Sequence, residues 1–192
     1  MYSDGELFDI LDETGARTGE VMPRGEVHAA GALHGSVHVW LVSGTGADAH
    51  VLLQKRAADK DSFPSCLDAA CTGHIDSGEE PLAAAVRELS EEIGVQALPS
   101  ELIPLFRRRV SEDNVFHGKR FINNEITWVY LYRGGFALSE LRFEKAEISA
   151  LEEMPAQELR CRLREGGDGL CIDMDEFEEV MRCAEDMNRA AR

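Results

Sequence analysis

The apolar residues of this chain recur with two periods, and the period changes along its length. The runs "SVHVWLV" and "HVLLQKR" are rich in β-branched and aromatic residues. The turn-forming stretch "SGTGADA" separates them, which predicts a hairpin. Upstream, "ELFDILDETGARTGEVMPR" predicts a strand, a turn at "ETGART" and a second short strand. "SCLDAACTG" reads as a short buried strand, and "LIPLFRRRVS" and "NNEITWVYLYRG" as two more. In the last of these Ile126, Trp128, Tyr130 and Tyr132 alternate with Thr127, Val129 and Leu131, the period of two that sends neighbours to opposite faces of a sheet. "ALSELRFEKAEIS" predicts a strand followed by a turn. A helical period governs residues 81–93, "MPAQELRCRLRE" and "DMDEFEEVMRCAEDMNRAAR". In the last segment Met174, Phe177, Val180 and Met181 form the inward stripe of an otherwise solvated acidic helix. Strands, one central helix, strands and terminal helices predict an α/β fold, a mixed sheet with helices packed on it. The expectation is one domain over residues 1–192, with a C-terminal helical segment from about residue 155.

The central helix carries an unusual charge pattern. Glu79 and Glu80 precede Pro81, a favoured first helical residue, and Gly94 suits the position just past the end. At about 100° per residue, Leu82, Val86, Leu89 and Ile93 share one stripe. Glu88, Glu91 and Glu92 share another face at spacings of three and four, with Arg87 at its edge. A solvated acidic face explains single glutamates. It explains poorly three that converge without a lysine at the spacing that would relieve them. Convergent carboxylates are what a hard divalent cation needs, and such an ion often bridges them to phosphates. Without metal these side chains are expected to be exposed and mutually repelling.

Composition narrows the partners. Lys+Arg total 20 against 36 Asp+Glu, a formal charge of −16. That disfavours nucleic acid or an anionic membrane, and leaves open a small anionic substrate whose charge bound metal would offset. The start, "MYSDGELFDILDE", does not read as a secretory signal, and no apolar run is long enough to span a bilayer. Cys66, Cys71, Cys161, Cys171 and Cys183 are odd in number and lack C-x-x-C spacing, which fits free thiols in a reducing cytoplasm. A homodimer is compatible with the pattern.

Residues 73–95, "GHIDSGEEPLAAAVRELSEEIGV", resemble the Nudix box, G-x5-E-x7-R-E-U-x-E-E-x-G-U, with U a bulky apolar residue. Gly73, Glu79, Arg87, Glu88, Leu89, Glu91, Glu92, Gly94 and Val95 match every fixed position. From ordinary residue frequencies, a chance match in a chain this size is on the order of one in a million. The resemblance implies an α/β/α sandwich around a mixed sheet and a pyrophosphohydrolase acting on a diphosphate linkage in a nucleoside diphosphate derivative or similar small molecule. Glu88, Glu91 and Glu92, with Glu79 and His74, would hold Mg²⁺ or Mn²⁺, and Arg87 would orient Glu79 or Glu91. Glu92 and Glu125 are the candidate general bases.

Three further segments, "EVHAAGALHGSVHVWLV", "LLQKRAADKDSFPSCLDAACTGH" and "NNEITWVYLY", resemble the isopentenyl-diphosphate isomerase branch of the same superfamily. By that resemblance His28, His34 and His74 approximate histidine metal ligands, Arg56 and Lys60 hold the diphosphate, and Glu125 is a metal-associated catalytic glutamate. His34 is a further candidate substrate contact. His34 and His38 also read as ordinary packed sheet residues. Thr72 occupies the place of the isomerase cysteine, and Cys71 is one residue off, a step that reverses direction in a strand. Asn123 stands where that branch has a second glutamate, and the Nudix box is complete. Hydrolysis is therefore the expectation. Isomerisation of isopentenyl diphosphate and non-catalytic nucleotide binding are the alternatives.

Overall fold

A computed structural model describes residues 5–60 and 62–190. Residues 1–4, 61 and 191–192 lie outside it, and with them the first residues read for a leader and the end of the helical segment from 155. The chain begins with a two-stranded antiparallel ribbon, β1 (Leu7–Leu11) and β2 (Arg17–Pro23), followed by a short helix, α1 (Arg24–Ala30). The α1 helix was not expected from the pattern, because seven residues ending at Gly31 are too short to show a helical period.

The main sheet has seven strands and is mixed. Its axis is β3 (His34–Ser43). One edge of β3 pairs in parallel with β8 (Lys119–Tyr132), which pairs antiparallel with β7 (Leu102–Phe116). The other edge is shared. β6 (Cys71–His74) takes the stretch Ser36 to Val39, and β4 (His50–Arg56) takes Val42 and Ser43, closing the expected hairpin. β4 in turn carries β5 (Leu67–Ala69) and β9 (Ile148–Pro155).

Two apolar layers fix the helices. On one face Val37, Val39 and Leu41 of β3 and Tyr130 and Tyr132 of β8 bury Ala85, Leu89 and Ile93 of α2 (Pro81–Ile93). On the opposite face Trp40, Val51, Leu53, Val129 and Leu131 pack against α3 (Ala156–Arg164) and α4 (Met174–Ala190). The result is the expected α/β/α sandwich, and the alternation read in residues 126–132 holds across it. The α2 helix starts at Pro81 and ends with Gly94 in the left-handed region, φ 74°.

Three features differ from the sequence pattern. Residues 112–120, left between the two strands read there, are part of the β7–β8 hairpin, which turns only at His117 and Gly118. Val115 and Phe116 are adjacent and flanked by charged and polar residues, so no period of two marks the strand. "ALSELRFEKAEIS" holds a single 3-10 turn at Leu138–Glu140, and its strand begins only at Ile148. The third is Glu176 on α4, which is buried at 4% exposure although the helix reads as solvated on its acidic side.

Phe177 is fully buried and lies 6.0 Å, ring to ring, from Trp40, so it is the main apolar anchor of α4. Phe177→Ala should destabilise the fold by about 3–5 kcal/mol, the cost of a large core deletion. Urea unfolding measures it, and a loss below about 1 kcal/mol would show that α4 is not part of the cooperative core.

Candidate active site

Among the described residues, six strands, β3 to β8, and α2 wall a cavity of about 700 Å³. Its floor is the polar face of the sheet: Ser36 and His38 on β3, Thr72 and His74 on β6, Asn123 and Glu125 on β8. Registers of Ser36 opposite His74 and His38 opposite Thr72 put these pairs side by side. The helix side contributes Arg87, Glu88, Glu91 and Glu92.

Arg87 organises the acidic helix face. Its Nε and Nη2 donate to the two oxygens of Glu79 at 3.1 and 2.9 Å. Nη1 donates to Glu88 at 2.8 Å and to Glu91 at 3.1 Å, and Nη2 also donates to the His74 carbonyl at 3.0 Å. The guanidinium thus serves three carboxylates, more than the one expected from sequence. Half-burial alone would lower its pKa, but the bonds to Glu79 and Glu88 raise it instead. Both Glu79 oxygens are taken up by Arg87, and one of them also accepts from the Asp76 N–H at 3.3 Å.

The expectation of exposed carboxylates holds only for Glu91, whose side chain is 62% exposed. The Glu88 side chain is 12% exposed and Glu92 is 9% exposed. Glu92 accepts from the Thr72 N–H at 3.1 Å and from Gln54 Nε2 at 3.3 Å, so its burial is compensated by hydrogen bonds. Glu88 fits because position 73 is glycine: a Cβ there would overlap its carboxylate. Burial raises the pKa of both acids above the ordinary carboxylate value. The charges of Glu91 and Asp76 add to the effect at Glu88, and that of Glu88 adds to it at Glu92.

A second donor set lies on the sheet side. His28 of α1, His34 at the start of β3 and His74 at the end of β6 bring ring nitrogens within 4.8 Å of one another. Phe8 stacks on His34 and His74, with centroids 5.4 and 4.7 Å away, and Phe121 stacks on His28 at 4.2 Å. Nδ1 of His34 lies 3.0 Å from the Ala32 carbonyl, and Nδ1 of His28 lies 3.3 Å from the Ile122 carbonyl. A carbonyl only accepts, so Nδ1 carries the hydrogen in both rings and Nε2 is left with a lone pair. The Nε2 atoms of all three histidines and Oδ1 of Asn123 are buried without a hydrogen-bond partner. Oε1 of Glu125 lies 3.4 Å from His34 Nε2 and 3.3 Å from His74 Nε2. Burial, with the neighbouring histidines, pushes His28 down to about 3. Burial, with Arg24, pushes His74 down to about 4. Burial alone would raise Glu125, but its histidine contacts hold it well below the usual range. Three imidazoles and one carboxylate converge, and such a donor set suits a divalent ion that accepts nitrogen.

Arg56 and Lys60 line the same cavity. Arg56 bonds the Ser62 carbonyl at 3.1 and 3.2 Å and lies 3.3 Å from Asp68, and Lys60 pairs with Glu147. His34, a candidate substrate contact, is fully buried within the histidine cluster. Thr72 faces the cavity, its hydroxyl accepting from Gln54 at 3.3 Å and donating to Asp68 at 3.5 Å. Cys71 points into the core against α2, fully buried, and burial with Glu92 and Glu88 raises its thiol pKa well above the ordinary value. Sequence reasoning did not single out Gln54 or Asp68. A lone glutamine inside "VLLQK" was the signal for the first, and for Asp68 there was none.

The chain belongs to the Nudix family: the NUDIX domain model matches residues 32–170. It is a Nudix-type hydrolase by its relatives. It is 41% identical over 157 residues to Nudix hydrolase 3 of Arabidopsis thaliana, covering 81% of this chain but only 20% of that longer protein. It is 31% identical over 158 residues to the isopentenyl-diphosphate Delta-isomerase of Mycolicibacterium vanbaalenii, covering 81% of this chain and 80% of that one. A crystal structure from Deinococcus radiodurans superposes with a TM-score of 0.66 at 20% identity, covering 92% of this chain and 98% of that one. Among the described residues, no helix is long and apolar enough to cross a membrane.

Glu92 binds its proton more tightly in the folded chain than in an unfolded one. The associated stability is therefore present below the ordinary carboxylate value and lost as pH rises through the raised one. In the metal-free protein Glu92→Gln should melt at least about 2 °C above wild type at pH 8, with the gap closing toward pH 5. Thermal melts with chelator test this, and a variant less stable than wild type at pH 8 would refute it.

Proposed function

We propose that this protein is a divalent-metal-dependent pyrophosphohydrolase that cleaves a diphosphate linkage in a nucleoside diphosphate derivative or a similar small molecule. The observation that carries the reading is the convergence of Glu88, Glu91 and Glu92 on one cavity, Glu92 buried and Glu88 largely covered, both with raised pKa values. Buried acids facing one another are unfavourable unless a cation occupies the space between them. Glu88, Glu91 and Glu92 would hold Mg²⁺ or Mn²⁺. His28, His34 and His74 with Glu125 would hold a second divalent ion, for which the unpartnered Nε2 atoms and Asn123 Oδ1 offer lone pairs. Such ions supply charge neutralisation of the diphosphate and a lowered pKa for a coordinated water.

The chain's own groups do the rest. Arg87 fixes the rotamers of Glu88 and Glu91 through charge-assisted bonds. Arg56 and Lys60 line the cavity, and either would reach a phosphate oxygen only by sharing the donors it gives to Asp68 or Glu147. Glu92 is the favoured general base, because it lines the cavity and the Thr72 N–H keeps one oxygen oriented. Glu125 is held ionised and is the weaker proton acceptor.

Isomerisation of isopentenyl diphosphate is the second reading, and the histidine–Glu125 cluster favours it. Proton transfer at carbon needs an acid at the cavity wall. The side chain there is Thr72, and the neighbouring thiol of Cys71 faces the core on the other side of the sheet.

With Mg²⁺ and a panel of nucleoside diphosphate derivatives, the protein should release a phosphorylated product. Glu92→Gln should lower kcat by at least about 100-fold, with an unchanged circular dichroism spectrum. Absence of turnover across the panel, with bound metal verified, would overturn the hydrolase reading. Incubation with isopentenyl diphosphate in deuterated water should give no exchange into carbon; exchange would establish the isomerase instead.

A further inference from the structure

The cavity holds cations whose charge is already used by the protein. Arg24 pairs with Glu6 at 2.7 Å, Arg56 lies against Asp68, Lys60 pairs with Glu147, and Arg87 serves Glu79, Glu88 and Glu91. In each case the acidic partner lies beside the cavity itself. His38 differs. Its carboxylate partner reaches it from behind the sheet, from α4.

Glu176 of α4 is buried, with its side chain 3% exposed, and every donor around it is accounted for. Oε1 faces Nδ1 of His38 at 2.7 Å and accepts from Trp40 Nε1 at 2.9 Å. Oε2 accepts from Arg108 Nη1 at 3.0 Å, and the same Nη1 reaches Asp173 at 2.7 Å. An ionised carboxylate can only accept, so Nδ1 of His38 carries a hydrogen directed at Glu176. The other nitrogen, Nε2, has no hydrogen-bond partner among the described residues, and the ring is 22% exposed on the cavity side. Arg108 divides its charge between Glu176 and Asp173, so His38 completes the balance around Glu176 through Nδ1 and keeps Nε2 for the cavity. In the β3–β6 register His38 stands opposite Thr72, whose N–H holds Glu92. Directly opposed residues have Cβ atoms about 4.5–5.5 Å apart, and His38, Thr72 and Glu92 line the same cavity.

We infer that His38 is a substrate-binding residue whose Nε2–H donates to a phosphate oxygen of the diphosphate, and that Glu176 of α4 is the positioning residue that orients it. This inference deepens the hydrolase reading and rests on it. The Glu176 charge and hydrogen bond support it: burial alone would lower the His38 pKa, but Glu176, with Asp68 and Glu125, raises it to about 9. At neutral pH the ring is then a cation with a donor at each nitrogen, one directed at Glu176 and one open to the cavity. Glu176 lies beyond residue 170, where the match to the family's domain model stops, so α4 contributes to the site from outside that stretch.

The test uses the full chain with Mg²⁺ and methylenediphosphonate, a diphosphate with an uncleavable bridge. In protein labelled with ¹⁵N-histidine, the His38 Nε2 resonance should shift on titration. His38→Gln should weaken the dissociation constant about tenfold. Glu176→Gln, which preserves the shape of the side chain, should weaken it at least about threefold and alter the His38 signal. A His38 resonance unmoved at saturation, or His38→Gln binding within twofold of wild type, overturns the inference. If binding is then still weakened by Glu91→Gln, the hydrolase reading stands without it. A wild-type protein that binds no methylenediphosphonate overturns both. The wild-type resonance decides the matter even if a variant misfolds, and a purely structural dyad would leave that resonance unchanged.

Discussion

The site depends on one guanidinium. Three glutamates around a single helix face, Glu79, Glu88 and Glu91, would repel one another and splay into solvent. Arg87 instead spends its donors on all three and on the His74 carbonyl. The last bond matters as much as the others, because it ties α2 to the end of β6. A lysine could neutralise the same charge, but one point charge lacks the fork that serves several acceptors in fixed directions. With Arg87 in place, the acidic face becomes a rigid wall and its remaining lone pairs point into the cavity.

Strand β6 is where this wall meets the sheet, and its four residues are each directed differently. Cys71 enters the core under α2. Thr72 faces the cavity while its N–H holds Glu92. Gly73 leaves the space that the Glu88 carboxylate fills. His74 turns its ring to the histidine cluster and its carbonyl to Arg87. Alternation along one strand thus divides the donors into two chemically distinct sets, oxygen on the helix side and imidazole nitrogen on the sheet side. Substituting the glycine would crowd the oxygen set, and shifting the strand by one residue would bury His74 and expose Cys71.

Much of this was legible in the chain. The box spacing located the helix, its Pro81 start and Gly94 end, and the residues around Arg87. Period-two alternation located β8 and its two faces. Burial was not legible: helical geometry places Glu88, Glu91 and Glu92 on one face, but only packing against β6 shows that two are covered and one is open. The α1 helix was missed because about two helical turns carry no clear period, although its His28 was recognised. Glu176 was read as part of a solvated face because its partners, His38, Trp40 and Arg108, lie 138, 136 and 68 residues away in sequence. No local pattern encodes a contact of that separation.

The balance of charge in the cavity constrains how a substrate can enter. Asp68, Glu88, Glu91, Glu92, Glu112 and Glu125 all line it, and most of its basic groups are committed to such acids. A diphosphate arriving alone meets a negative potential in a chain whose net charge is already −16. Protonation of Glu88 and Glu92 relieves only part of it, since Glu125 stays ionised. On the proposed function, divalent cations would relieve the rest and displace those two protons on binding. The raised pKa values of Glu88 and Glu92 and the dry lone pairs of the histidine cluster are two expressions of one condition, acceptor groups gathered without enough positive charge beside them. Under that proposal, bound cations would supply the charge and an anion would follow it into the site.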